Sequence, residues 1–394
     1  MKILFVCDTD PERIASGADV RTKTLIEALR ALGDVRVVTL DTSARDVPGS
    51  CAVVRCEPMG IFRSLVNRVC RTFYVRIVPN CPPVMPFPRD VSFEKAFPGF
   101  HFDLIVMRYL QVVSKIRPWR YGRVIIDIYD CPVQRYETMY AGRHCRLRRK
   151  LTVWFIRRQL EWLLRHCAGG WVSNPDDLPK FKSEFNVRAL VNIPLPVPPG
   201  YDAAVPRKEM LMTVGDLTYA ISPNVVGIEN FLSSVWPRVR EARPNLEYWI
   251  AGGGLPDEVR DRWSRVPGVR CLGFVEDLDG LYAQALATVV PIGTGGGSCV
   301  KTRESLAHGR CCLSTEFGAR GLAAEDLRDG TCGVLIWRNA EDLVSSLKQL
   351  ENADRRQELE RAARDYADRA LTQDYFIRQV RALIEGEGKR CYER

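Results

Sequence analysis

No apolar run in the 394 residues approaches the 18 or more that a membrane-spanning helix requires. Residues 1–6 read directly as a strand, so no secretory leader is expected. Histidine is scarce. The four, at positions 101, 144, 166 and 308, have no metal-ligand spacing, and neither a metal nor another cofactor is expected. Cysteine is plentiful, at 14, but scattered: there is no C-x-x-C pair, and Cys311 and Cys312 are adjacent and unsuited to bridge each other. Reduced thiols in a cytosolic protein are expected, several acting as small hydrophobes within apolar runs. No G-x-G-x-x-G follows the first strand, which argues against bound NAD. The net charge of +9 comes with no recognised nucleic-acid motif, and nucleic acid is not an expected partner.

Acid is missing from two stretches. Residues 61–77 carry Arg63, Arg68, Arg71 and Arg76 among aromatic and aliphatic residues. Residues 143–162 carry Arg146, Arg148, Arg149, Lys150, Arg157 and Arg158 with Trp154, Phe155 and Trp162, and no acid before Glu161. Basic residues interleaved with aromatics suit an anionic membrane surface; the plainer alternative is a core-packed helix with a solvated basic rim.

The length implies two domains. A strand over 2–7, a polar loop over 8–21, a helix carrying Leu25, Ala28, Leu29 and Leu32, and a strand over 35–40 make one βαβ unit. Residues 79–98 are proline-rich and irregular. Strands are predicted at 102–107, 124–128 and 170–173, and residues 193–200 form a proline linker. Beyond it, strands at 211–214, 247–251, 269–275, 311–314 and 334–337 alternate with helices, one preceded by Pro223 and Asn224 and running through Val239. That alternation predicts a second doubly wound parallel sheet.

The most informative stretch lies at 290–309. Residues 287–292 read as a strand buried on both faces, and Gly293, Gly295, Gly296 and Gly297 then free the backbone for close approach to a ligand. Ser298 is expected to cap the following helix and Gly309 to end it. A helix opening after a glycine loop is an anion site. Lys301 in its first turn is disfavoured by the helix dipole unless a phosphate reverses the local field. Lys301, Glu304 and His308 share one face, a lysine suited to a diphosphate and a carboxylate suited to sugar hydroxyls. His308 reads as a plain surface residue, and Arg303 falls inside the apolar arc without an evident role.

The run from Gly295 to Gly309, GGGSCVKTRESLAHG, resembles the donor-binding segment of GT-B glycosyltransferases of the group 1 (family 4) type, which reads roughly G-x-G-x-x-x-K-x-L-E-A-M-A-x-G. Further matches follow in order at Gly215, Pro223 with Asn224, 235–237, 250–252, 273–275 with Asp277, and Gly318 with Gly321 and Leu322. The resemblance implies an α/β GT-B fold, two doubly wound Rossmann-like domains facing a central cleft. Its divisions are 1–192 on the acceptor side, a linker at 193–208, a nucleotide-sugar domain at 209–370, and a closing helix at 371–394 that packs back on the first domain. It implies a donor diphosphate held by Gly17, Gly295, Gly296, Gly297, Ser298 and Lys301, and a nucleotide ribose held by Glu304. Lys301 and Asp130 are the implied catalytic residues, with Asp127 and Tyr129 as contacts to sugar or acceptor; Asp127 could equally cap a turn. The implied activity is transfer from a nucleotide-sugar to a glycan or lipid-linked acceptor, retaining and without metal, in surface-polysaccharide synthesis. Its place is the cytoplasm, peripheral on the inner face of the membrane through 61–77 and 143–162. Two departures stand out. Gly296 occupies a position where many members have a second glutamate, and 216–219 lack the usual arginine and lysine. An NDP-sugar 2-epimerase of the same fold and a non-catalytic binding protein are the rival readings.

Overall fold

The computed structural model describes residues 1–11, 17–40, 51–54, 60–77, 90–91, 93–108, 116–128, 131–139, 142, 144–185, 190–194, 196–197, 208–218 and 222–386. The chain divides into two compact units, Met1–Leu195 with Phe376–Arg394, and Pro196–Tyr375.

The first unit is built on a seven-stranded sheet. Its strands are β1 (Lys2–Cys7), β2 (Asp34–Thr39), β3 (Cys51–Val53), β4 (Leu104–Arg108), β5 (Val124–Ile128), β6 (Gly169–Val172) and β7 (Leu190–Asn192). All pair in parallel, in the order β3-β2-β1-β4-β5-β6-β7. The runs are mostly apolar because helices cover both faces of a parallel sheet. Leu4, Val6 and Ile105 face one core, Ile3, Phe5 and Val106 the other. Helix α1 (Gly17–Arg30) starts earlier than the polar composition of 8–21 suggested. Two basic helices follow, α2 (Ile61–Ile77) and α3 (Arg146–Leu164). No described side chain of α2 joins a core; Ile61, Phe62, Leu65 and Val69 are exposed, Ile61 at 90% and Phe62 at 73%. Helix α3 buries Ile156, Leu160, Leu163 and Leu164 but leaves Leu147, Leu151 and Trp154 outside. No described helix is long and apolar enough to cross a membrane.

The second unit carries six parallel strands, β8 (Met210–Val214), β9 (Glu247–Ala251), β10 (Val269–Gly273), β11 (Ala287–Val290), β12 (Cys312–Ser314) and β13 (Val334–Ile336), in the order β10-β9-β8-β11-β12-β13. Chain progression reverses between β8 and β11. Helix α4 (Pro223–Ser234) opens on Ser222, whose hydroxyl accepts from the Val225 amide. The helix expected to run on to Val239 stops short: Val235 breaks it, and a new helix begins at Trp236 with Pro237 in its first turn. Proline supplies no N–H and clashes with the preceding turn. Helices α5 (Leu278–Gln284), α6 (Val300–Ala307) and α7 (Ala353–Ala370) flank the sheet. The last helix, α8 (Gln373–Ile384), returns the chain to the first unit. Phe376, Val380, Leu383 and Ile384 sit in the core with Ile3 and Phe5, and the Phe376 ring meets Trp171 edge-on.

Candidate active site

Open parallel sheets bind ligands at the carboxyl ends of their strands where the strand order reverses. In the second unit that point is the gap between β8 and β11. Gly215 follows β8, and the loop 291–299 follows β11 into α6. Gly297 adopts φ 62°, a left-handed turn closed to most side chains. The turn points the chain into α6, whose first amides have no acceptors within the helix.

Lys301 reaches back across the gap. A Cβ on Gly215 would stand 2.9 Å from Lys301 Cε and 2.9 Å from Asn224 Nδ2, so glycine is what lets both side chains cross the end of β8. Asn224 Nδ2 donates to the main-chain oxygen of Asp216 at 2.8 Å, tying the start of α4 to the same spot. Asp216 itself closes a turn, accepting from the Thr218 amide and hydroxyl. The glycine loop, the α6 amides and the lysine thus meet beside one strand end.

Ser298 is not the cap of α6. Cys299 holds that position, without a side-chain cap, and its amide donates to Arg320 O. Ser298 is buried against Gly321, where an added Cβ would fall 2.4 Å from its own. Arg303 lies in the apolar arc because it is a buried strut: Nη2 donates to Gly321 O at 2.8 Å, holding the 318–322 loop over the helix. Thr302 does the same through Gly318 O.

Glu304 is half-buried one turn beyond Lys301. Desolvation raises its carboxyl above the ordinary range, against the opposing pull of His308, Lys301 and the Tyr282 hydroxyl. His308 is not a plain surface residue. It is buried, stacked on Tyr282, and bonded through Nε2 to Asp279 and through Nδ1 to Glu304 O.

A cavity of about 170 Å³ opens at the ends of the neighbouring strands, lined by Leu217, Gly252, Gly253, Gly254 and Phe274 among others. Phe274 stands 78% exposed at its edge.

In the first unit, Gly17 is the first residue of α1. Asp127, expected to meet sugar or acceptor, is fully buried. Arg21 Nε donates to its Oδ2 at 2.9 Å, and Arg21 Nη2 pairs with Oδ1. A carboxylate enclosed and gripped at both oxygens is a structural tie between α1 and β5, and the ligand role is withdrawn. Tyr129 and Asp130 lie outside the described residues.

Residues 208–352 match the family profile of glycosyl transferases group 1. They form a group 1 glycosyltransferase domain. The whole chain is similar in structure to sucrose-phosphate synthase from Thermosynechococcus elongatus, at 16% identity over 98% of each chain and a TM-score of 0.71. It is similar to HepE of Anabaena solved with UDP, at 14% identity, TM-score 0.67, over 98% of this chain and 100% of that one. It is also similar to the pneumococcal O-GlcNAc transferase GtfA solved with UDP and GlcNAc, at 11% identity, TM-score 0.59, over 99% of each. At such identities the likeness carries the fold alone, the GT-B architecture of two doubly wound units. No protein of curated function matches its sequence.

Sequence reasoning reached Lys301 and Glu304 in the glycosyltransferase domain but missed Tyr282, His308 and Asp279. The signal was present only in halves. Asp279 and Tyr282 are three apart on one helix, Glu304 and His308 four apart on another, so each pair shares a face. Nothing local says that the two faces meet across β11.

Proposed function

We propose that the protein transfers a sugar from a UDP-sugar to a glycan or lipid-linked acceptor. Lys301 beside Gly215 carries this reading: it is a cation in the first turn of a helix, at the point of strand-order reversal, next to a glycine loop. The donor diphosphate lies on Gly295, Gly296, Gly297 and the opening amides of α6, with Lys301 balancing the charge that develops as the sugar leaves. Glu304 takes the ribose hydroxyls. The cavity by Phe274 has the size of a heterocyclic base and an exposed aromatic ring to stack on it. HepE and GtfA, both solved with UDP, favour uridine as the nucleoside.

Lysine and amides provide the positive field themselves, and no metal enters this reading. Retention of configuration, a role in surface-polysaccharide synthesis, and contributions from Gly17 and Asp130 belong to it through the family resemblance. The basic helices α2 and α3 give it a place, peripheral on the anionic inner face of the cell membrane.

The test is a panel of nucleotide-sugars scored by the rise in melting temperature, followed by turnover of the best donor. Lys301→Ala is expected to lose about a hundredfold or more in turnover with the fold intact, as for removal of one preorganised donor. Near-normal turnover in that variant would refute the diphosphate assignment.

A further inference from the structure

Among the residues that line the cavity beside Phe274, Arg260 is the one that carries a charge. It belongs to the helix Asp257–Ser264, which follows β9. Its guanidinium is oriented rather than left to sweep through solvent. Nη2 donates to Leu255 O at 3.3 Å, and Nη1 lies 3.1 Å from Asp257 Oδ1. The charge is felt at the cavity floor: burial raises the Cys271 thiol above its ordinary value, and Ser264 and Arg260 pull against that rise.

The main chain of the cavity is one-sided in the same sense. Gly253 O already accepts from the Leu217 amide at 3.1 Å, Gly273 O from the Gly252 amide at 2.7 Å, and Leu255 O from Arg260. The amides of Gly253, Gly254 and Phe274 donate to no main-chain oxygen among the described residues. The wall therefore offers donors, while three of its acceptors are occupied. Its glycines also differ in kind. A Cβ on Gly252 would fall 1.8 Å from Gly215 O, and one on Gly254 2.2 Å from Thr218 Oγ1, so the fold itself requires both. A Cβ on Gly253 would meet nothing nearer than Phe274 Cβ at 3.8 Å. Gly253 is thus glycine where the protein has room for a side chain, and that room adjoins the Phe274 ring.

An aromatic ring stacks on every base and does not choose among them. A guanidinium does choose, because it donates and never accepts. Uracil turns a carbonyl oxygen outward where cytosine carries an amino group. Facing Arg260, the carbonyl gains a charge-assisted bond, whereas the amino group sets donor against donor. We infer that Arg260 is the specificity-determining residue of this pocket and selects uracil over cytosine by its carbonyl edge. This role rests on the cavity being the seat of the nucleotide base.

Calorimetric titration with UDP and CDP tests it, since the two share ribose and diphosphate and differ in the base alone. The unmodified protein is expected to bind UDP roughly tenfold or more tightly than CDP. Arg260→Met keeps the aliphatic stem and removes the donors. UDP should then bind roughly tenfold more weakly, CDP should not, and the ratio should approach one. Arg260→Gln supplies an amide oxygen that accepts from the cytosine amino group, so it should favour CDP further than the methionine variant does. An arginine that only ties its helix to Leu255 would, on removal, weaken both nucleotides alike and leave the ratio standing. That outcome, or equal affinity of the unmodified protein for UDP and CDP, overturns the role of Arg260. Gly253→Leu, which fills the space beside Phe274, is expected to reduce UDP to the affinity of inorganic pyrophosphate while pyrophosphate itself binds as before. Unchanged UDP affinity in that variant removes the base from the cavity, and the role of Arg260 with it. Should both Arg260 variants fail to fold, the UDP-to-CDP ratio of the unmodified protein and Gly253→Leu decide. The donor reading fails by a different result: a folded, unmodified protein that binds no UDP refutes the nucleotide site, whereas UDP bound without preference over CDP refutes only the selection by Arg260.

Discussion

At neutral pH the carboxylate of Glu304 sits in a desolvated site that favours its protonated form. A carboxyl whose folded pKa lies above its unfolded value binds its proton more tightly when folded. Its stabilising contribution is therefore fully present below the unfolded value and is lost as pH rises through the folded one. At pH 7 the ionised group works against the ligand-free fold. Glu304→Gln, which still accepts from Tyr282, is expected to melt at higher temperature than the unmodified protein at pH 7. The difference should shrink as pH falls below the ordinary carboxylate range, and UDP should bind more weakly. A melting temperature at pH 7 equal to or below that of the unmodified protein would sink the argument. Such opposition between stability and binding is usual for residues placed to serve a ligand. At this scale Lys301 and Glu304 were legible because charge and helical spacing are local properties. Arg303 and His308 were not, since an arginine in an apolar arc makes sense only once the Gly321 carbonyl is seen above it. Several cysteines were legible as small hydrophobes: burial pushes the Cys7 thiol to about 11 and the Cys167 and Cys312 thiols to about 12, which leaves those three uncharged at neutral pH.

The elements were easier to read than the residues, because strands buried on both faces leave long apolar runs and glycine and proline mark their ends. The main misreadings concerned helices: the start of α1, the break at Val235 and the cap of α6, where a turn of backbone decides and composition does not. The fate of α2 was also hidden. Its arginines suggested a solvated rim, yet Ile61, Phe62, Leu65 and Val69 face out as well. Counted at about 100° per residue, Ile61, Leu65, Val69 and Phe62 fall within one arc of the helix. A helix with an exposed apolar arc, basic neighbours and no acid suits the headgroup region of an anionic bilayer. In α3, Leu147, Leu151 and Trp154 make a second such stripe. The protein is expected to float with anionic vesicles at low salt and not with neutral ones. Each basic residue at such a surface contributes about 1 kcal/mol, so replacing Arg146, Arg148, Arg149 and Lys150 with glutamine should release it or leave weaker binding that depends less on salt. Phe62→Ser with Leu65→Ser should weaken binding with little change in its salt dependence. No flotation of the unmodified protein at low salt would end the membrane reading.

For the whole molecule, two units with separate cores predict two calorimetric transitions. UDP should raise the one belonging to the second unit, because a ligand stabilises the part it binds. Phe376→Ala should lower the other by about 3–5 kcal/mol, since its ring is fully buried against Trp171 in the first unit. If UDP and Phe376→Ala move the same transition, the site or the division is wrongly drawn. The alternation of strands and helices made the double architecture legible from the sequence. The place of α8 in the core of the first unit has a consequence for biosynthesis. The ribosome delivers residues 196–375 before it delivers Phe376, Val380 and Leu383. The unit made first therefore cannot complete its core until the unit made second has left the exit tunnel. Vectorial folding, which ordinarily runs from the amino end, is inverted here. The second unit closes on its own continuous segment, while the nascent first unit waits with Ile3, Phe5 and Trp171 uncovered, a natural point for a chaperone to hold it.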